Sequence, residues 1–333
     1  MAQSCHASRL RTAAGVMHAG EPTGQRFNVK HPAKHDKARP CAKAAASGIM
    51  GEAAAPEPNV TIGSRCCASA GRHPAAHRCN LMIDIASGHP AIDRYLSDSY
   101  ETVRGMSSRF AAAICGHLIR RQSALDIGGD LVEIGTFEGR FFIAMALGLE
   151  PDERAIGIDR FDWPDAGIEG RFLANCAAHG LARHRYLSWK TDSREITSGN
   201  LREKLHGRPL RFVHIDSHHS RECLTNDLEL VAPVLHRDAI ICLDDMLHPG
   251  YPMMASAVFE YLERHPELRL LCVLDREDIV AAPKFLICRC DALALYEQDL
   301  LSAFSRFHFT LNADMETYFA LVLTPRPRLA EVG

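Results

Sequence analysis

The sequence predicts an α/β protein: a doubly wound, mostly parallel sheet of about seven strands, the last antiparallel, behind N-terminal helices and an N-terminal extension. Three observations predict it. Beyond residue 130, short apolar runs alternate with helical patterns, the order that builds a parallel sheet covered on both faces. The run LVEIGTFEGR at 131–140 reads as a strand, a tight glycine turn and a helix start. Four of the five runs from 131 to 243 end at small or acidic residues (Gly135 and Thr136, Asp159, Asp216, Asp244 and Asp245), and ligands of such sheets bind beyond the carboxyl ends of the strands.

Residues 1–81 are taken as an extension that is disordered or unlike the native fold. They are rich in Ala, Gly, Pro, His and Arg, without sustained periodicity, so they bury too little apolar surface to offset their ordering entropy. An upstream extension of a protein that effectively begins near Met82 is one reading, and an Arg-rich organelle transit peptide is another. The charge splits with the composition. Residues 1–80 carry a net +7, and the remaining 253 residues a net −10. The acidic part argues against a nucleic-acid backbone as partner. No apolar run approaches the roughly 18 residues that span a bilayer, so no membrane partner is expected. The twelve cysteines form no framework, since the close pairs Cys66–Cys67 and Cys288–Cys290 lack the spacing of zinc or redox sites. A reducing cytoplasm is the simplest location.

An N-terminal helical segment is expected over 82–130, with helices at 93–96 and 103–119, the second carrying Phe110, Ile114 and Leu118 on one stripe. The main domain is expected over 131–325. Its strands are predicted at 131–136, 155–159, 185–189, 210–216 and 239–243, with helices over 140–149, 171–178, 193–205 and 253–262. A further helix carries Leu224, Leu228, Val231 and Leu235 on one face. Segments 268–274 and 285–288 pair as a final hairpin. The tail holds a helix over 292–307 and one more strand over 318–323.

The glycine turn reads E-x-G-x-x-x-G, not the G-x-G-x-x-G of dinucleotide-binding turns. That spacing shifts the expected ligand from a nicotinamide cofactor to S-adenosylmethionine, and it disfavours an oxidoreductase. Backbone N–H groups at a strand–turn–helix junction suit an anionic or strongly polar ligand. Glu133 stands where its carboxylate could aim into the turn, or where it merely stiffens the turn from a buried position. Asp159, one helix and one strand later, could accept both hydroxyl protons of a ribose or cap the next segment.

The run HIDSHHS at 214–220 is the second concentration of polarity. Asp216 closes its strand, and the neighbouring strand should lie roughly 4.8 Å away, bringing Asp244 and Asp245 opposite. Carboxylates so close repel unless a cation lies among them, and oxygen donors favour Mg²⁺. Alternatively, Asp244 and Asp245 cap the following loop. Zinc at the H-x-D-x-H-H cluster is disfavoured, because His214 precedes Asp216 within the strand. A histidine beside a metal-bound hydroxyl can act as general base, and its position singles out His219.

Together, EIGTFEGR, IDR, IDSHHS and LDD resemble the class I S-adenosylmethionine-dependent methyltransferases. They are most similar to the small-molecule O-methyltransferase branch acting on sugars and antibiotics, over residues 100–290. The resemblance implies a Rossmann-like sheet in which Glu133, Gly135, Thr136, Phe137 and Gly139 line the methionine end of the cofactor. Asp159 would hold the ribose, and Asp192 and Ser193 would flank the adenine, with Asp216 at the cofactor's edge. Asp216, Asp244 and Asp245 would ligate Mg²⁺, with His219 as catalytic base. Two departures stand out: Phe141 replaces a small hydroxyl residue after G-R, and Arg221 replaces an aromatic two residues after the histidine.

The function expected is Mg²⁺-assisted methyl transfer from S-adenosylmethionine to a hydroxyl of a small molecule, a sugar or secondary metabolite. The alternatives are a catechol-type O-methyltransferase acting on an aromatic diol and a non-catalytic nucleotide-binding protein of the same fold. The sequence leaves the acceptor and the oligomeric state open, although relatives often associate through their N-terminal helices into homo-oligomers. Specificity is expected in the helices before residue 130 and in the loops 161–170 and 247–252.

Overall fold

A computed structural model describes residues 83–278 and 280–326; the expected extension over 1–81 lies outside the described residues. The strands are β1 (Asp130–Ile134), β2 (Ala155–Asp159), β3 (Tyr186–Lys190), β4 (Leu210–Ile215), β5 (Leu235–Leu243), β6 (Leu268–Leu274), β7 (Lys284–Arg289), β8 (Ala313–Asp314) and β9 (Phe319–Leu323). They form one sheet in the order β3-β2-β1-β4-β5-β7-β6-β9-β8. The five strands β3, β2, β1, β4 and β5 are parallel neighbours. β7 is antiparallel to both β5 and β6. The expected hairpin therefore inserts its second strand between β5 and its own partner. The tail strand expected over 318–323 forms as β9, parallel to β6, and the short β8 beside it, which was not expected, brings the sheet to nine strands.

The helices are α1 (Pro90–Asp98), α2 (Arg109–Ala124), α3 (Arg140–Ala146), α4 (Ile168–Ala178), α5 (Ser198–Lys204), α6 (Arg221–Val231), α7 (Met253–Arg264) and α8 (Cys290–Phe304). Strand alternation sorts the core into two layers. Leu131, Phe212 and Ile240 pack with Phe110, Ile114, Phe142, Phe172 and Tyr296 of α2, α3, α4 and α8. Val132, Val213 and Ile241 face the other way, onto Leu201, Leu224, Leu228 and Val258 of α5, α6 and α7. Each such fully buried side chain contributes about 1.5–3 kcal/mol.

Three differences from the sequence reading bear on the site. The helix expected over 103–119 starts only at Arg109, because the Ser108 hydroxyl accepts the Ala111 N–H at 3.0 Å and caps it. Residues 103–108 are thereby freed as a loop across the strand tips. The helix expected over 193–205 splits into a 3₁₀ turn, Ser193–Glu195, and α5, which a Thr197–Asn200 capping box starts afresh. Leu235 leaves the face of α6, since Pro233 ends the helical path and Leu235 opens β5.

Candidate active site

Parallel strands end together, so their terminal residues meet at one rim. Gly135 follows β1 with φ +88°. A Cβ there would lie 1.9 Å from the Asp216 carbonyl oxygen; only glycine lets the β1 turn approach the tip of β4 so closely. Phe137 is also left-handed, at φ 50°, and its N–H donates to Asp159 Oδ2 at 2.9 Å. Asp159 Oδ1 accepts the Phe161 N–H at 2.7 Å, so this carboxylate ties the β1 turn to the β2 loop. Gly139, at φ +90°, starts α3.

Gly135, Asp159, Thr191, Asp192, Ser193 and Asp216 line one cleft of about 210 Å³. Five of the nine expected cofactor residues thus share a cavity wall. The other four stand around it. Phe137 packs against the exposed Trp163 at 5.5 Å between ring centroids. Gly139 lies behind the turn, its Cα side close against Phe172. Thr136 and Glu133 are buried, and Thr136 Oγ1 and Glu133 Oε2 have no hydrogen-bond partner among the described residues. Buried polar atoms without partners beside a cleft suit a polar ligand that would satisfy them. Asp192 is held by Arg194 through two hydrogen bonds of 2.9 and 2.6 Å; Arg194 brings its carboxyl down to about 2. It caps the 3₁₀ turn, so its side chain is already engaged.

Across the cleft's edge, Asp216, His219 and Asp245 bring one ligand atom each within 4.8 Å of one another. His219 Nε2 lies 3.9 Å from Asp216 Oδ1 and in closer contact with Asp245 Oδ2. Burial would lower the pKa of this imidazole, but the neighbouring carboxylates of Asp216 and Asp245 outweigh it and raise the value to about 10. Burial, and then the charge of Asp244, push the Asp216 carboxyl upward. Tyr251 stacks on the His219 ring at 4.1 Å. The loop that carries Tyr251 holds two non-glycine residues in the left-handed region, Asp245 and Leu247, both at φ 57°, and such strain gathers at functional sites.

Asp244 stands apart from the ligand set expected for it. Its Oδ1 accepts the Asp245 N–H at 2.8 Å. Its Oδ2 is the ion-pair partner of Lys284 and accepts the Ser107 hydroxyl at 3.2 Å. Lys284, 1% exposed, also donates to Ser107 Oγ and His214 Nε2, each at 3.1 Å. A lysine donating to Nε2 leaves the Nδ1 proton of a neutral imidazole to point at Glu133 Oε1, 3.0 Å away. Burial first and Lys284 second hold His214 well below its ordinary pKa, in keeping with that tautomer. Burial likewise drives Glu133 well above the usual carboxylate range.

Lys284 and Ser107 are residues beside the candidate site that the sequence reading missed, and His214 is one it weighed only as a zinc ligand. Register offered a signal: Glu133 is opposite His214, His214 is opposite Cys242, and Cys242 is opposite Leu286. Period-2 alternation then places Lys284, two residues before Leu286, on the same face. The two departures also find places. Phe141 packs on His214 at 4.2 Å between ring centroids and beneath Lys284 at 5.0 Å. Arg221 points away, bridging α6 to Glu260 and Ser256 of α7.

A nine-stranded sheet with a glycine turn at β1 and acidic tips at β2, β4 and β5 has the α/β architecture in which ligands meet the carboxyl ends of the strands. Residues 132–246 match the family described as a methyltransferase domain, and over that span the chain is a class I S-adenosylmethionine-dependent methyltransferase. No curated protein matches the chain. Among solved structures, it is similar to CalS11, a TDP-rhamnose 3′-O-methyltransferase of calicheamicin biosynthesis, at 20% identity over 61% of this chain and 92% of that one, with a TM-score of 0.44. It is similar to the O-methyltransferase NovP at 15% identity, covering 63% and 96%, with a TM-score of 0.43. An O-methyltransferase from Bacillus cereus in complex with SAH is similar at 14% identity, covering 60% and 90%, with a TM-score of 0.45. Among the described residues, no helix is long and apolar enough to cross a membrane.

Proposed function

We propose that this methyltransferase acts on a hydroxyl of a small molecule, a sugar or secondary metabolite, with a divalent cation of the Mg²⁺ kind and His219 as the base. One observation carries the reading: the cluster of Asp216, His219 and Asp245 adjoins the cleft of Gly135 and Asp159 through Asp216, which belongs to both. Bound S-adenosylmethionine supplies the methyl carbon, and a cation between the carboxylates supplies charge that makes a hydroxyl easier to deprotonate.

The chain's own residues do the rest. Glu133, Thr136 and the 135–139 turn take the polar end of the cofactor. Asp159 keeps lone pairs for the ribose beyond the two N–H groups it accepts. Ser193 and the cleft wall at Asp192 flank the base. Asp216 and Asp245 offer the oxygen donors that suit a small divalent ion. His219 is an imidazolium while it alone offsets their charge. It therefore takes a proton at Nε2 only when another cation neutralises Asp216 and Asp245. Tyr251 fixes the ring's plane and closes the site on one side. Its flat face beside His219 favours one second reading, an aromatic diol as acceptor. The seven described cysteines are free thiols, in keeping with a reducing cytoplasm.

Asp245→Asn, at a cluster residue that does not line the cofactor cleft, tests the proposal. Methyl transfer from S-adenosylmethionine to a panel of sugar and catechol acceptors should fall by about a hundredfold or more. Calorimetric affinity for the cofactor should change by less than about threefold, because the turn that binds it is untouched. Equal loss of both would contradict the proposal, and the acceptor that turns over in the wild type separates sugar from diol.

A further inference from the structure

Lys284 is the buried cation of this site, and nothing in the reaction as described above uses it. A lysine buried to 1% exposure remains charged at high cost unless its partners are fixed. Here every partner is fixed. Asp244 pairs with the ammonium, Ser107 and His214 accept from it at 3.1 Å, and the Phe141 ring lies 5.0 Å away. Asp244 is equally committed, with one oxygen on the Asp245 N–H and the other on Lys284 and Ser107. A metal ion could recruit Asp244 only by breaking a buried ion pair and stranding the ammonium.

We propose that Lys284 takes Asp244 out of the metal's ligand set, so that Asp216 and Asp245 are the aspartates that hold the divalent ion and His219 Nε2 stays free as the base. The inference rests on the reading that a divalent cation binds at this cluster. Lys284 is thus a positioning residue. It neutralises one of three acidic side chains from below, and through Ser107 it anchors the loop 103–108 to the tip of β5. The loop's other end is fastened independently, with Arg104 on Glu138 and the Val103 carbonyl on Arg140. The divergence from the set implied by family resemblance therefore has a local cause, a lysine at the start of β7.

Manganese titration followed by electron paramagnetic resonance reads the ligand set directly, without an acceptor or turnover. The informative variant is the double substitution Asp244→Asn with Lys284→Met, which removes both charges together and leaves neither buried alone. It should bind Mn²⁺ within about threefold of the wild type, whereas Asp216→Asn should weaken binding about tenfold or more. Lys284→Met alone, if it folds, should bind Mn²⁺ more tightly than the wild type, because Asp244 becomes available. A tenfold loss in the double variant, matching Asp216→Asn, would overturn the proposal while leaving the metal reading intact. Absence of Mn²⁺ binding in every variant would overturn both.

Discussion

Among the described glycines, Gly135 carries the tightest constraint. Alanine there must tolerate φ +88° and a Cβ 1.9 Å from the Asp216 carbonyl oxygen, so the β1 turn must part from the β4 tip. Left-handed strain and overpacking together should cost about 3 kcal/mol. Gly135→Ala should therefore lower the urea midpoint and weaken S-adenosylmethionine binding about tenfold or more, as calorimetry would show; unchanged binding would mean that the turn does not hold the cofactor. At this scale the sequence was informative where function is local. Glu133, Gly135, Asp159 and Asp216 stand at strand ends that hydrophobic periodicity alone locates. Lys284 became legible only once the strand register was known, because its partners Asp244, Ser107 and His214 come from three remote segments and 285–288 reads simply as an apolar strand.

Among elements, the 3₁₀ turn after β3 shows how a side chain expected at the adenine serves structure first. Asp192 accepts the Arg194 N–H at 3.0 Å as well as two guanidinium bonds. Because its pKa is depressed to about 2 by Arg194, its contribution to stability is present above the unfolded value of about 3.9. It is lost as pH falls towards 2. The stability gap between wild type and Arg194→Gln, measured by urea unfolding, should therefore be full at pH 5 and smaller at pH 3. A gap independent of pH would show that the pair contributes nothing through its charge. The loop 103–108 belongs to this scale too. Apolar periodicity carried the expected helix back to residue 103, but Ser108 is the stronger signal, a capping hydroxyl directly before the apolar stripe of α2.

For the whole molecule, the sheet is held to its helical layer by a second buried ion pair at the end remote from the site. Arg211 on β4 is fully buried. It donates to Glu153 Oε2 at 2.6 Å and to the Ile119 carbonyl of α2 at 2.8 Å. Glu153 in turn accepts the N–H groups of Gly129 and Glu150, both at 2.8 Å. Arg211→Met strands a buried carboxylate and should destabilise the protein by about 3–5 kcal/mol, measured by urea unfolding; a loss below about 1 kcal/mol would mean that water reaches Glu153. The alternation of strands and helices made the parallel half of the sheet readable from sequence. The order β5-β7-β6-β9 was less so, because pairing among strands so far apart in the chain leaves no local pattern.

A crystal structure with S-adenosylhomocysteine would show whether the rim formed by the tips of β1, β2 and β4 holds the cofactor. The homocysteine end should lie against the 135–139 turn, with the ribose hydroxyls on Asp159 and the thioether sulfur directed towards Asp216 and His219. Density for the ligand at the opposite end of the sheet, or a ribose that leaves Asp159 untouched, would contradict that placement.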